Sequence, residues 1–266
     1  MSQNQEGLLF NFHGVSTPFS GRIKALNNVP HHELIKGPPG AALSVAGGWS
    51  LSTSIGSNHG EWFKWGATVA DCKGEQAGKN QFRTTCIAQI ADLQAKNDPF
   101  LFEADLIRLK MVSHHDGGPA GASRIVPAEM VFDGVRLNGQ VIEVHHDNDF
   151  SNFPTLTAFE KEYQTNRAFF AKHCAHFKQA EADFGKALPR TSGGFVVSTF
   201  VRGFDYQGER RTGNTLALKG FGTLHFGEVL QKADNRRVTM VRLEMGCAMA
   251  ASSGAGEVDQ NGTWGT

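Results

Sequence analysis

The sequence predicts a mainly β protein, an antiparallel β-sandwich or wide barrel of roughly ten to fourteen strands, with one long amphipathic helix inserted near residues 155–186. Three observations carry this expectation. Glycine supplies 31 of the 266 residues, well above the usual ~7%, as many turns between short strands require. Phenylalanine outnumbers tyrosine 20 to 2, which points to a dry interior or an apolar cavity rather than a wet recognition face. A sustained helical period occurs in a single segment; elsewhere the apolar residues alternate.

Residues 8–25 alternate loosely and meet a loop containing His31-His32 and Gly37-Pro38-Pro39-Gly40, which no helix tolerates. Residues 41–55 read as one or two strands broken at Gly47-Gly48. In residues 61–70, a strand would send Trp62 and Lys64 to one side and Phe63 and Trp65 to the other. Residues 82–93 and 101–113 follow as strands, the second with Ile107, Leu109 and Met111 on one face and Arg108 and Lys110 on the other. A hairpin joins residues 130–137 to 140–144 through Asn138-Gly139, two residues suited to the positive φ of a type I′ turn. With Leu137 facing Gln140, Phe132 is expected opposite His145 and Val131 opposite His146.

Leu156, Phe159, Tyr163, Phe170, Cys174, Phe177 and Phe184 form the helical stripe, with Thr157 and Glu160 as a capping box and Gly185 and Pro189 as the stop. Residues 194–204 and 214–221 return to strand, and a hairpin pairs residues 223–231 with 238–246 across 232–237. Leu224, Phe226 and Leu230 share a face that also takes Glu228, while His225, Arg242 and Glu244 share the wetter one. Residues 252–266 are Gly/Ser-rich and expected to be a loose tail of a single domain spanning 1–266. Val197-Ser198-Thr199 echoes Val15-Ser16-Thr17, too short a match to establish duplication.

Charge and motifs exclude several function classes. Lys+Arg and Asp+Glu both number 26, so the net charge is zero and no basic face advertises nucleic acid. A near-neutral chain favours self-association. There is no apolar stretch long enough for a membrane helix and no basic, apolar leader, so a cytoplasmic location is expected. Cys72, Cys86, Cys174 and Cys247 lack CxxC spacing and are expected as buried reduced thiols. No serine-hydrolase elbow, phosphate loop or dinucleotide fingerprint is present.

The histidines carry the remaining chemistry. His114-His115-Asp116 and His145-His146-Asp147 each place a histidine and an aspartate on one strand face, and Glu143 and Asp149 share the parity of the second run. In a simple meander both runs leave one sheet edge about 10 Å apart, so His114, Asp116, His145 and Asp147 are the expected ligands of a divalent transition metal. Both runs also suit ordinary strand ends. His173 and His176 stand at i, i+3 on the helical segment. Glu228, if buried, would act as an acid or base; a bulge at Gly227 would instead turn it outward. Trp62 and Trp65 are the candidates for a carbohydrate face. Three functions follow: a non-enzymatic cytoplasmic binding or self-assembling protein using its Phe-rich interior or helix face for an apolar ligand or a second subunit, a metal-dependent hydrolase or isomerase, and a carbohydrate-binding module.

Overall fold

A computed structural model describes residues 10–24, 32–116, 123–147, 156–173, 181–188, 190–232, 235–245 and 250–264. Among the features read from sequence, His31, Asp149, Cys174, His176, Phe177, Pro189 and Cys247 lie outside the described residues, as does the side chain of His173. The first strands are β1 (Phe10–Lys24), β2 (His32–Leu34), β3 (Ala41–Ala42), β4 (Gly48–Ser54), β5 (Ser57–His59), β6 (Phe63–Trp65), β7 (Thr68–Gly78), β8 (Gln81–Asn97) and β9 (Phe100–His115). Then come β10 (Ser123–Asp133), β11 (Arg136–Leu137), β12 (Gln140–His146) and the helices α1 (Leu156–Thr165) and α2 (Arg167–His173). The chain ends through β13 (Val196–Thr199), β14 (Val201–Tyr206), β15 (Glu209–Thr212), β16 (Thr215–Leu218), β17 (Gly222–Lys232), β18 (Asn235–Met245) and β19 (Ala250–Trp264).

Two antiparallel sheets hold these strands. One runs β13-β17-β18-β19-β1-β2, with β16 beside β17 and β3 beside β1. The other is a meander from β4 and β5 through β6 and β7, then β8, β9, β10 and β11, to β12, β14 and β15. One continuous segment joins the sheets: β13 pairs in the first and β14 in the second, with Phe200 alone between them. Its N–H donates to Gly227 of β17 and its carbonyl accepts from Asp147 after β12. The phenylalanines fill the space between, with Phe19, Phe63, Phe102, Phe200, Phe204 and Phe226 all buried. Hydrophobic burial of such large rings is the main driving force for closing the two layers.

Each sheet carries a transverse seam at which the inward face shifts by one residue. In the first sheet the registers align Phe200, Gly227, Met240, Gly256 and Pro18, and the pairing of each ladder skips these positions. Gly227 and Gly256 take φ of 63° and 64° there. A glycine tolerates that conformation and any other residue resists it. In the second sheet Gly56, Gly66, Asp92, Asp105 and Gly134 align in the same way. Positive φ again falls on alternate strands, at Gly56, Asp92 and Gly134. The consequence in β17 is that Leu224 and Phe226 point inward before the seam, Val229 and Gln231 after it. The sheets also touch here, since a Cβ on Gly256 would meet Ile107 of β9 at 3.0 Å.

Several sequence expectations hold. Leu137 faces Gln140 across Asn138-Gly139, whose φ values are 50° and 73°. Phe63 and Trp65 point inward with Lys64 outward, and Ile107, Leu109 and Met111 line the core side of β9. The hairpin of β17 and β18 forms, but its register is two residues off the expectation: the ladder runs on to Lys232 and Asn235, so Gln231 faces Arg236 rather than Val238.

Two expectations are corrected. Among the described residues, the long helix is two short ones, α1 and α2. Asn166 separates them, accepting the Phe169 N–H at 3.1 Å on its side-chain oxygen, and so starts α2 as an N-cap. Thr157 lies inside α1 rather than capping it, and Glu160 accepts from Arg190 at 2.6 Å. The residues of the supposed tail form β19, hydrogen-bonded between β18 and β1 along almost all its length. The Ala/Gly/Ser run at 250–256 lacks the apolar alternation that marks a strand in the linear sequence.

β19 is also tied by charge. Asp259 accepts from Arg237 at 2.7 and 2.9 Å and from Asn235 at 2.8 Å, with His13 at 3.6 Å. Burial alone would raise its pKa, but these partners outweigh burial and leave it at about 2, below the ordinary 3.8. Because the folded value is the lower one, the associated stability is present above pH ~4 and is lost as pH falls towards 2, about 2 kcal/mol in all. Urea unfolding across that window should show the loss, and Asp259→Asn should flatten it. Gly227→Ala should cost about 3 kcal/mol, combining the positive φ with overpacking, since its Cβ would meet Val201 at 2.7 Å and Phe200 at 2.8 Å. Gly139→Ala, with open space around it, should cost only about 1 kcal/mol in the same assay.

Candidate functional site

The two His-x-Asp runs do not converge. Leu137 pairs with both Phe102 and Gln140, which puts Gln140 level with Phe102 and therefore His145 level with Ile107. That is seven residues short of His114, roughly 23 Å at ~3.3 Å per residue. The cause is unequal strand length: β9 has 16 residues and β12 has 7, and β12 turns to pair with β14. Phe132 accordingly sits opposite Ile107 and Val131 opposite Arg108 in β9, not opposite His145 and His146. Its ring does lie 6.0 Å from that of His146.

His114 is exposed between Arg83 of β8 and Arg124 of β10, and Asp116 is exposed just past β9. His115, its neighbour, turns inward against Phe10 with ring centroids 4.8 Å apart. Asp147 is engaged by the Arg202 guanidinium through both carboxylate oxygens.

A different set does come together around His145. Glu143 stands directly opposite Asp205 of β14, and His145 stands opposite Gly203, where a Cβ would run into the Arg211 carbonyl of β15 at 2.3 Å and no side chain is available as a partner. The diagonal neighbour therefore reaches across, with His145 Nε2 2.9 Å from Asp205 Oδ2. Glu143, His145 and Asp205 can each offer a ligand atom within 4.8 Å of the others. On β15, Arg210 lies opposite Asp205 and donates to its two oxygens at 3.3 and 3.4 Å. The His145 hydrogen bond, followed by the Arg210 charge, holds the Asp205 carboxyl below the ordinary carboxylate range. His146, next in line, has its pKa lowered by burial. One imidazole and two carboxylates in reach of each other are a donor set suited to zinc, manganese or iron.

Glu228 belongs to another polar group. The seam turns it outward by the positive φ of Gly227, with no residue inserted, since the β17 and β18 register is the same on both sides. Arg242 grips both its oxygens, one of them at 2.8 Å, and His225 lies 3.6 Å away on one side and 3.3 Å from Glu244 on the other. The expected face of His225, Arg242 and Glu244 thus exists and gains Glu228, which is an ion-pair acceptor there rather than a buried acid on the apolar face. Beside it, Arg22, Arg237, Thr239, Arg242 and Glu257 line an open cleft of about 420 Å³.

The tryptophans separate as well. Trp65 is buried against Phe19, ring centroids 5.4 Å apart, so it belongs to the core and not to a ligand platform. Trp62 is half-buried and packs against that core. Among the tryptophans whose side chains are described, the exposed one is Trp49, 68% accessible on β4. Leu51 at 48% and Ile55 at 90% continue on the same side of the chain. β4 pairs with β7 on one side and with no strand on the other among the described residues. The bond from Gly56 N–H to Gly66 carbonyl sets the ladder phase. Counted back by alternation, the main-chain groups of Trp49, Leu51 and Thr53 point to the open side. Residues 47–58 contain no charged side chain and no proline, the usual guards of an edge. That absence was visible in the sequence; that the segment forms an edge was not.

Residues 10–232 match a protein family described as a domain of unknown function (DUF8256). No curated protein and no solved structure matches the chain.

Proposed function

The chain belongs to the DUF8256 family, and on that premise we propose that it is a non-enzymatic binding or self-assembling protein whose association edge is β4. The observation that carries this reading is the pairing of an open backbone edge with Trp49, Leu51 and Ile55 exposed along it and no charge to repel a partner. Strand addition at such an edge gains main-chain hydrogen bonds and buries the apolar side chains together. The partner is a second copy of the chain. An antiparallel β4–β4 pairing centred on Leu51 is self-complementary, setting Leu51 against its own copy and Trp49 against Thr53, as a two-fold interface requires. The buried phenylalanines already pack against one another, which favours this surface over an interior apolar ligand.

Light scattering on eluting protein should give the mass of a dimer that dissociates on dilution. Leu51→Lys should weaken association at least about tenfold. Thr53→Pro should do the same by deleting one outward N–H without touching the β7 ladder. Circular dichroism should be unchanged in both. A wild-type chain that stays monomeric at every concentration tested would sink the reading.

The convergence of Glu143, His145 and Asp205 favours a second reading, a divalent transition-metal site on β12 and β14. Metal would take the place of the proton shared by His145 and Asp205 and would compete with Arg210 for the carboxylate. Calorimetric titration of zinc into the tag-free chain should show stoichiometric binding that His145→Ala abolishes. Equal heats for the two proteins would remove this site.

A further inference from the structure

Cys72 of β7 and Cys86 of β8 stand directly opposite each other in an antiparallel ladder, both fully buried and both on the inward face. The ladder phase is set by the Ala91 N–H, which donates to the Ala67 carbonyl at 2.9 Å. Alternate pairs from that bond are hydrogen-bonded, so Ala70/Ala88, Cys72/Cys86 and Gly74/Thr84 occupy the non-hydrogen-bonded positions. Cα atoms at such positions are about 4.5 Å apart and their side chains lean together, within the short end of the separation a disulfide spans. The surroundings are shaped to two sulfur atoms. Across the sheets, a Cβ on Gly14 of β1 would come 2.7 Å from Cys86 Sγ, and Cys72 Sγ lies 3.5 Å from the Ala41 carbonyl of β3.

We propose that Cys72 and Cys86 are a covalent cross-link site, forming a cross-strand disulfide when the chain folds in the presence of a disulfide-bearing oxidant such as oxidised glutathione or a protein disulfide. One cysteine thiolate attacks a sulfur of the oxidant and expels a thiolate; the other attacks the resulting mixed disulfide and expels the second. Two electrons and two protons leave the cysteine pair, and the oxidant becomes two thiols. The exchange belongs to folding, after β7 meets β8 and before β1 and β3 cover the pair. In the finished fold the neighbouring Cys86 thiol and burial push the Cys72 thiol well above its ordinary pKa, which suppresses the thiolate that exchange needs. The bond would fasten β7, the ladder partner of β4, to the centre of its sheet.

The test is oxidative refolding of the full chain. Protein unfolded under reducing conditions is refolded in a mixture of oxidised and reduced glutathione, quenched by alkylation under denaturing conditions and mapped by mass spectrometry. The expected product carries a peptide joining Cys72 to Cys86. It should melt roughly 5–10 °C above protein refolded with reductant, as closing a loop of about 15 residues predicts. Cys72→Ser and Cys86→Ser should each lose both the linked peptide and the rise in melting temperature. Should either variant fail to fold, the map of the unmodified chain decides alone. Refolded protein in which Cys72 and Cys86 are both alkylated, or are joined instead to Cys174 or Cys247, would overturn the proposal.

Discussion

The two transverse seams are the constraint on which the rest of this structure depends. A long antiparallel strand normally keeps one parity of side chains inward throughout. Here β1, β8, β9, β17, β18 and β19 each change parity midway, and they do so in register with their neighbours. A shift on one strand alone would put apolar residues in water. Made together, with positive φ at Gly227 and Gly256 in one sheet and at Gly56, Asp92 and Gly134 in the other, it lets both halves of every strand face the same core. The aspartates at the second seam lie over the neighbouring glycines, where a Cβ on Gly66 would be 2.5 Å from Asp92 and one on Gly134 would be 1.9 Å from Asp105. Arg136 then holds Asp105 in place.

The seams also decide where polar groups meet. An outward residue just before a seam and another just after it are three apart rather than two, so His225 comes to Glu228 and Thr239 shares an outer cleft with Arg242. At the end of the first seam, Phe200 passes the chain from one sheet to the other and delivers β14 to β12. That delivery sets Asp205 opposite Glu143 and one diagonal step from His145. The echo of Val15-Ser16-Thr17 in Val197-Ser198-Thr199 acquires a structural meaning here, because each tripeptide leads directly into a seam residue, Pro18 in one case and Phe200 in the other.

Local features were legible in the linear sequence where one short signal settled them. Asn138-Gly139 made its turn, Phe63 and Trp65 went inward, and Ile107, Leu109 and Met111 lined a core face. Periodicity and composition mislead where two physical tendencies compete. The stripe from Leu156 to Phe184 has helical spacing, but Asn166 both closes the last turn of α1, its N–H on the Glu162 carbonyl, and caps α2 with its side-chain oxygen, so the helix breaks there. The residues of β19 are small and polar enough to pass for a tail, yet two flanking strands supply the hydrogen bonds that make a strand of them.

The sequence by itself determined that this is an antiparallel β protein with a phenylalanine core, a near-neutral surface and an unguarded apolar stretch at 47–58. Only the tertiary structure decided that this stretch is an edge, that His145 meets Asp205 and not His114, and that Cys72 lies against Cys86. Periodicity reports which way a side chain points along its own strand. Which residue stands beside it depends on the register and length of neighbouring strands, and β9 and β12 differ too much in length for their ends to meet.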